Sequence, residues 1–322
     1  MRSLDETFSI LVDDGGRRLN REMRAQRRDR LLALFEDCRP RVVLTEMFPF
    51  GRRQMRFELL PLLDAALQAP WKPKITCSVR DILNTLKQPG KIAWIVETAQ
   101  RYYDRVLVHG DPALIPFERT FPAAAALGDR IRYTGYVVNA AIPARRAEPD
   151  GEILVSTGGG AVAGPLVRGV LEAHPLSSLR HRHWRILIGP NLPEAPFRAF
   201  QAEAPPGMTV ERSRPDFPEL LCKAHLSISQ AGYNTTLEVL SAGVPAVVVP
   251  FAAGGETEQS LRARLLAESG RLVLAEEASL TGHGLSAAME RALSLVPKAT
   301  APSVALDGAA ETARRLAALA EG

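Results

Sequence analysis

Short apolar, β-branched runs alternate with longer amphipathic stretches along nearly the whole chain. In the first half, 41–45, 74–79, 105–109 and 131–134 read as buried strands, preceded by a shorter apolar run at 8–12. In the second half, 152–156, 184–188, 208–211, 226–229 and 246–249 read the same way. Between them, the apolar positions of 56–68, 162–173, 217–224 and 233–242 follow a helical period. Such alternation implies α/β architecture, with parallel sheets covered by helices on both faces. The Pro- and Ala-rich stretch 140–151, AAIPARRAEPDG, breaks the pattern and reads as a linker. The expected organisation is two Rossmann-like domains, at 1–139 and 152–305, with an amphipathic helix near 309–320 in a final segment, 306–322.

The segment SQAGYNTTLE, Ser229 to Glu238, carries the densest chemical signal. It reads as the end of a buried strand, a small-residue turn and the first turn of a helix. A helix starting at Gly232 points free backbone N–H groups and the positive end of its dipole outward, an arrangement that favours an anion. Asn234, Thr235 and Thr236 add side-chain donors. Glu238 lies one turn on, where a carboxylate suits ribose hydroxyls and would repel a phosphate. Ordinary N-capping explains Asn and Thr at a helix start equally well. The continuation, AGVPAVVVPF, reads as helix stop and buried parallel strand, followed by a loop carrying Glu256, Glu258 and Gln259. Ligands of open α/β sheets bind at that strand edge. A second Gly-rich turn, Ser156-Thr157-Gly158-Gly159-Gly160-Ala161, opens the first helix of the second half and offers a nest of N–H donors. It is not a P-loop, since no Lys-Ser/Thr follows.

These motifs resemble the donor-binding signature of GT-B glycosyltransferases, the MurG-like enzymes in particular. The resemblance is specific from about 226 to 265 and general elsewhere in the C-terminal half. It implies that Gly232, Asn234 and Thr235 hold a diphosphate, that Glu238 binds the ribose, and that Glu258 and Gln259 hold sugar hydroxyls. It further implies that Thr157, Gly158, Gly159 and Gly160 touch the donor phosphates. The loop ending in Phe217 would meet the base, where this ring either packs on a uracil or anchors its own helix. Gln230 stands where many members carry a basic residue or His, so one phosphate contact differs. TEMFPFG, SVRDIL, YYDRVLVHGDP and RYTGYV, spread over 45–137, are similar to motifs of a bacterial group of MurG-like proteins. That group implies a further N-terminal βα unit, which this chain is expected to lack. The fold implied is GT-B, two Rossmann-like domains facing across a cleft, with an abbreviated N-domain and a last helix returning to it.

Composition narrows the chemistry. The chain has 322 residues, 46% hydrophobic, with a net charge of +4. Three cysteines, Cys38, Cys77 and Cys222, are unclustered, which points to a reducing cytoplasm. No apolar run approaches a membrane span. Arginines crowd 17–56, which reads as a solvated helix face before an anionic surface, and nothing accompanies them that would read nucleic acid. In Phe48-Pro49-Phe50-Gly51-Arg52-Arg53, aromatic and cationic groups lie together, so a packed loop and a weak peripheral contact with the inner face of the plasma membrane are both open. No Asp-x-Asp occurs, so no metal cofactor is expected and the departing diphosphate must be stabilised by amides and dipole. The expected reaction is inverting, metal-independent transfer of a hexose or N-acetylhexosamine from a UDP-sugar. The acceptor is a glycan, a lipid-linked sugar or a small molecule. Asp81, Glu46 and Asp14 are the candidates for the base, and each also suits a cap or turn. A UDP-sugar hydrolase or epimerase of the same fold and a non-catalytic nucleotide-sugar-binding protein are the alternatives.

Overall fold

Alternating side chains on parallel strands build the two faces of each sheet, and the strands obey that rule closely. The computed structural model describes residues 2–3, 11–13, 15–83, 89–138, 151–159, 163–250, 258–276, 280–295 and 304–321. The chain divides into two units, one of Met1–Pro112, Pro116–Gly135 and Asp307–Gly322, the other of Ala113–Ile115 and Tyr136–Leu306.

The first unit opens with a small antiparallel pair, β1 (Arg2–Ser3) and β2 (Leu11–Val12). Helix α1 (Arg21–Cys38) follows, its start capped by Asn20, whose side chain accepts the Met23 N–H at 2.8 Å. Then come β3 (Val42–Glu46), α2 (Arg56–Gln68), β4 (Lys74–Arg80), α3 (Pro89–Tyr102), β5 (Arg105–His109) and β6 (Ile131–Tyr133). Strands β3 to β6 pair in sequence order, all parallel. The core gathers Ile75, Cys77 and Val79 of β4 with Val106 and Val108 of β5, under Leu62 and Leu63 of α2 and Ile95 and Ala99 of α3.

The arginine-rich helix α1 buries Phe35 alone among its side chains, so most of its charge faces solvent. Arg27 reaches the buried Glu58 of α2 with two hydrogen bonds of 2.9 and 3.0 Å, and Arg24 lies over the Phe57 ring. Phe48 and Phe50 are buried, Phe50 packing edge-on against Phe117 and Phe121. Of the two readings of that stretch, the packed loop is the one observed. Its rings are core, so a membrane contact has no exposed aromatic pair here to use.

The second unit runs β7 (Ile153–Ser156), α4 (Gly164–Ala173), β8 (Trp184–Ile188), α5 (Glu194–Glu203), β9 (Met208–Arg212), α6 (Phe217–Lys223), β10 (Leu226–Gln230), α7 (Tyr233–Ala242), β11 (Ala246–Val249), α8 (Glu258–Glu268), β12 (Val273–Leu274) and α9 (Gly282–Ser294). The last helix, α10 (Gly308–Glu321), groups with the first unit and contacts β3. The stretch read as a linker and most of the N-terminal run at 8–12 lie outside the described residues.

All six strands of this sheet are parallel, in the order β12-β11-β10-β7-β8-β9. Ile153, Val155, Ile186, Ile188, Ile228 and Val247 enter one core with α4 and α9. Leu154, Leu187, Ala246 and Val248 enter the other with α6, α7 and α8. Both faces are therefore dry, as β-branched runs on parallel strands require. The winding reverses between β7 and β10, whose register pairs Ser156 with Ser229. Crossovers leave these neighbours toward opposite faces, which opens a crevice at their carboxyl ends.

Trp184 is fully buried in the first of these cores, its indole N–H donating to Leu179 O at 3.1 Å. Trp184→Ala is expected to lower stability by about 3–5 kcal/mol, read as an earlier urea midpoint; an unchanged midpoint would contradict the packing described.

Candidate functional site

The crevice at the β7–β10 switch point is built from three backbone turns. At the end of β7 the chain turns through Gly158, whose φ of +57° lies in the left-handed region. Gly189, just after β8, is pressed against this turn. A Cβ there would fall 2.1 Å from Gly158 O, so a side chain at Gly189 would displace the turn. Thr157 was expected to face the donor phosphates, and the structure places its side chain elsewhere. It is fully buried, donates to Leu187 O at 3.4 Å and accepts the Gly189 N–H at 3.4 Å, which ties the turn to β8. The reason is the strand pleat, which turns this position away from the crevice. Gly160 lies outside the described residues; Gly159 accepts the Asn191 N–H at 3.1 Å through its carbonyl.

At the end of β10, Gly232 is the N-cap of α7 in an extended conformation, and no side chain caps the helix. The first-turn amides at Asn234 and Thr235 have no acceptor within the helix. Nothing lies within 4 Å of where a Gly232 side chain would begin, so the approach is open. Asn234 is exposed and Thr235 half-buried, whereas Thr236 is fully buried and adds no donor at the helix mouth. Gln230 comes close to Gly158, its Oε1 lying 3.8 Å from the position a Gly158 Cβ would take.

Ser156, Gly158, Leu187, Ser213, Arg214, Phe217, Thr235 and Glu238 line a single cleft of about 280 Å³. Glu238 is half-buried there and makes no hydrogen bond to the described residues. Burial alone pushes its carboxyl above the usual range. Phe217 satisfies both of its readings, packing against the core beneath α6 and lining the cleft.

Arg214 and Ser213 escaped sequence reasoning. Arg214 grips Asp216 through bonds of 2.8 and 2.6 Å and Glu211 at 3.5 Å. Glu211 in turn meets Arg185, which also binds Glu152 bidentately at 2.7 and 2.8 Å. The hydrogen bond from Arg185 holds the Glu152 carboxyl below its ordinary range. This chain of charges crosses β7, β8 and β9 and fixes the loop before α6. The Arg-x-Asp spacing was the available signal.

Glu258 and Gln259 begin α8 and do not line the cleft. The carboxylate of Glu258 takes a 2.8 Å bond from Arg262, a cation only 1% exposed that lies 5.0 Å from the Tyr233 ring centroid. Residues 251–257, which precede them, lie outside the described set.

The base candidates all map to the first unit. Asp81 is fully buried, with Oδ1 accepting the Ile82 N–H at 2.9 Å, and Gly110 packs on its Cβ. Glu46 is exposed and paired with Arg52 at 3.1 Å. Asp14 lies outside the described residues. Beside them at the sheet's carboxyl edge stands His109, which sequence reasoning passed over, with Nδ1 2.9 Å from Thr134 Oγ1. Among the described residues no group of three or more His, Cys, Asp and Glu side chains is arranged to hold a metal, and no helix is long and apolar enough to cross a membrane.

Residues 153–317, half of the chain, match the family model of the glycosyltransferase family 28 C-terminal domain. A curated relative from Rhodospirillum centenum, named UDP-N-acetylglucosamine--N-acetylmuramyl-(pentapeptide) pyrophosphoryl-undecaprenol N-acetylglucosamine transferase, is 34% identical over 32% of this chain. That alignment spans only 27% of the relative's own length. Among solved structures, MurG of Acinetobacter baumannii superposes with a TM-score of 0.60 at 16% identity, covering 98% of this chain and 83% of that one. The glycotransferase of kitacinnamycin superposes with a TM-score of 0.59 at 18% identity, covering 93% and 77%. The fold shared with both is GT-B, with two Rossmann-like domains.

The Glu238 environment has a consequence for stability. Its folded-state pKa lies above the unfolded one, so the folded chain holds that proton more tightly. The destabilisation is absent below the unfolded carboxyl pKa and grows as pH rises through the folded value. Glu238→Gln is expected to raise Tm near pH 7.5 and leave it unchanged near pH 4, by scanning fluorimetry. A fall in Tm at the higher pH would show that the carboxylate is paired.

Proposed function

Because the chain belongs to glycosyltransferase family 28 through its C-terminal domain and is MurG-like, we propose that it moves a hexose or N-acetylhexosamine from a UDP-sugar to an acceptor hydroxyl. The observation that carries this reading is one juxtaposition: the uncapped start of α7 opens beside Glu238, a half-buried carboxylate without a hydrogen-bond partner among the described residues.

Each part has a role in that reading. The amides at Asn234 and Thr235 and the α7 dipole receive the diphosphate and stabilise the charge it gains as it leaves. Gly232 admits it without steric hindrance, and Gln230 and the Gly158–Gly159 turn meet its other side. Glu238 accepts the ribose hydroxyls, and two such bonds recover the cost of burying its charge. The ring of Phe217 and the clamped Ser213–Arg214 backbone frame the base. Glu258 and Gln259 approach the sugar, with Arg262 holding Glu258 in place. Transfer is inverting, by direct attack of the acceptor on the anomeric carbon. It is proposed to be independent of metal, because the sequence carries no Asp-x-Asp. The donor sugar to try first is N-acetylglucosamine, by analogy with the relative's name. The acceptor is proposed to be a lipid-linked or soluble sugar, and the setting a reducing cytoplasm in keeping with the free thiols Cys38, Cys77 and Cys222.

A thermal-shift panel of UDP, GDP, ADP and UDP-N-acetylglucosamine tests the donor reading. UDP and its sugar are expected to stabilise the full chain, and stabilisation by none of the four would refute the reading. Glu238→Ala is expected to weaken UDP binding about tenfold or more, from the roughly 1.5 kcal/mol of a charge-assisted hydrogen bond. Unaltered affinity would remove Glu238 from the ribose site.

A further inference from the structure

One group at the carboxyl edge of the first unit's sheet is used by neither the fold nor the donor site. His109 ends β5, is partly buried, and sets Nδ1 2.9 Å from the buried Thr134 Oγ1. The threonine hydroxyl has one proton to give. Two carbonyls lie within its reach, Val108 O at 3.3 Å and Gly135 O at 3.2 Å. Val108 O already accepts the N–H groups of Gly110 and Thr134, each at 3.0 Å. Gly135 O has no other donor among the described residues, so the hydroxyl proton goes there and the hydroxyl oxygen accepts from the ring. The neutral imidazole then carries its proton on Nδ1 and its lone pair on Nε2. No described residue makes a hydrogen bond to Nε2.

The neighbours at this edge are differently engaged. Asp81 is buried and bonded to its own turn, and Glu46 is paired with Arg52. Burial lowers the basicity of His109 and the Glu46 carboxylate raises it in part, so the ring is mostly neutral near pH 7. Carboxyl edges of parallel sheets are where α/β proteins place their ligands.

We propose that His109 Nε2 is the general base that takes the proton of the acceptor hydroxyl, an inference that rests on the glycosyl-transfer reading above. As the acceptor oxygen bonds to the anomeric carbon, the bond from that carbon to the diphosphate oxygen breaks. The electron pair leaves on the diphosphate, and the acceptor's proton ends on Nε2 as imidazolium. Thr134 accepts from Nδ1–H throughout and keeps the ring in the reactive tautomer, the part an orienting group plays behind a histidine base.

Two readouts test this. In the full chain labelled with 15N-histidine, multiple-bond 1H–15N correlation spectra report the tautomer, with His109→Asn identifying the signal. The expected result near pH 7.5 is a protonated Nδ1 and a bare Nε2, lost in part in Thr134→Val; a protonated Nε2 would overturn the proposal. The second readout is UDP release from UDP-N-acetylglucosamine, with water or detergent-solubilised N-acetylmuramyl-(pentapeptide) pyrophosphoryl-undecaprenol as acceptor. His109→Asn, whose amide can still reach Thr134, is expected to lower kcat by about 10²–10⁴ while UDP stabilises it as it does the parent. Release at the parental rate would also overturn the proposal. Absence of UDP stabilisation in the parent chain would instead count against the donor reading, and the tautomer would still decide whether His109 is built as a base.

Discussion

Everything at the switch point depends on a helix that begins without a cap. Most helix starts satisfy their free amides with a Ser, Thr, Asp or Asn side chain, as Asn20 does for α1. Helix α7 has Gly232 at that position and no capping side chain, so its amides and dipole stay turned toward the crevice. A capping side chain would stabilise the apo chain by about 1 kcal/mol and occupy the space an anion needs. Stability has been left unclaimed at the one place where a ligand can supply it.

The surrounding charges are arranged around that vacancy in capping. Glu238 is held half-buried one turn along α7, at a cost that only a hydrogen-bonding ligand offsets. The chain of charges from Glu152 through Arg185, Glu211 and Arg214 to Asp216 does not enter into the chemistry. It pins the loop before α6 to three strands, so that Phe217 and the Ser213 backbone keep a fixed distance from the helix mouth. Arg262 stacks near Tyr233 and holds Glu258 from within the core, which places a buried cation close to the start of α7. The sequence departs from its relatives at Gln230, and this buried cation is the feature of the second unit that adds positive potential on the same side.

Much of the architecture was legible from periodicity. Helices at Arg56–Gln68 and Tyr233–Ala242 and strands at Trp184–Ile188 and Ala246–Val249 fall where the hydrophobic pattern puts them, because burial on both faces leaves few alternatives. The site was legible where function and backbone geometry share a residue, as at Gly158 and Gly232. Where a side chain's direction decides, sequence was a poorer guide. Thr157 sits in a ligand-like motif, yet the pleat turns it inward onto β8, and Thr236 is likewise buried behind Asn234. His109 and Thr134 lie far apart in sequence and meet only because β5 and the segment after β6 are adjacent. No local pattern could have paired them. The Arg214–Asp216 grip was visible as a spacing, but its extension to Arg185 and Glu152 needed the strand order β7-β8-β9.

The central claim is that the mouth of α7 and Glu238 together hold a nucleoside diphosphate. A crystal structure of the full chain with UDP tests it most directly. The expected result is a diphosphate against the amides at Asn234 and Thr235, with the ribose hydroxyls on the Glu238 carboxylate and the base beside Phe217. A nucleotide bound at any other edge of the sheet, or a ribose turned away from Glu238, would contradict it.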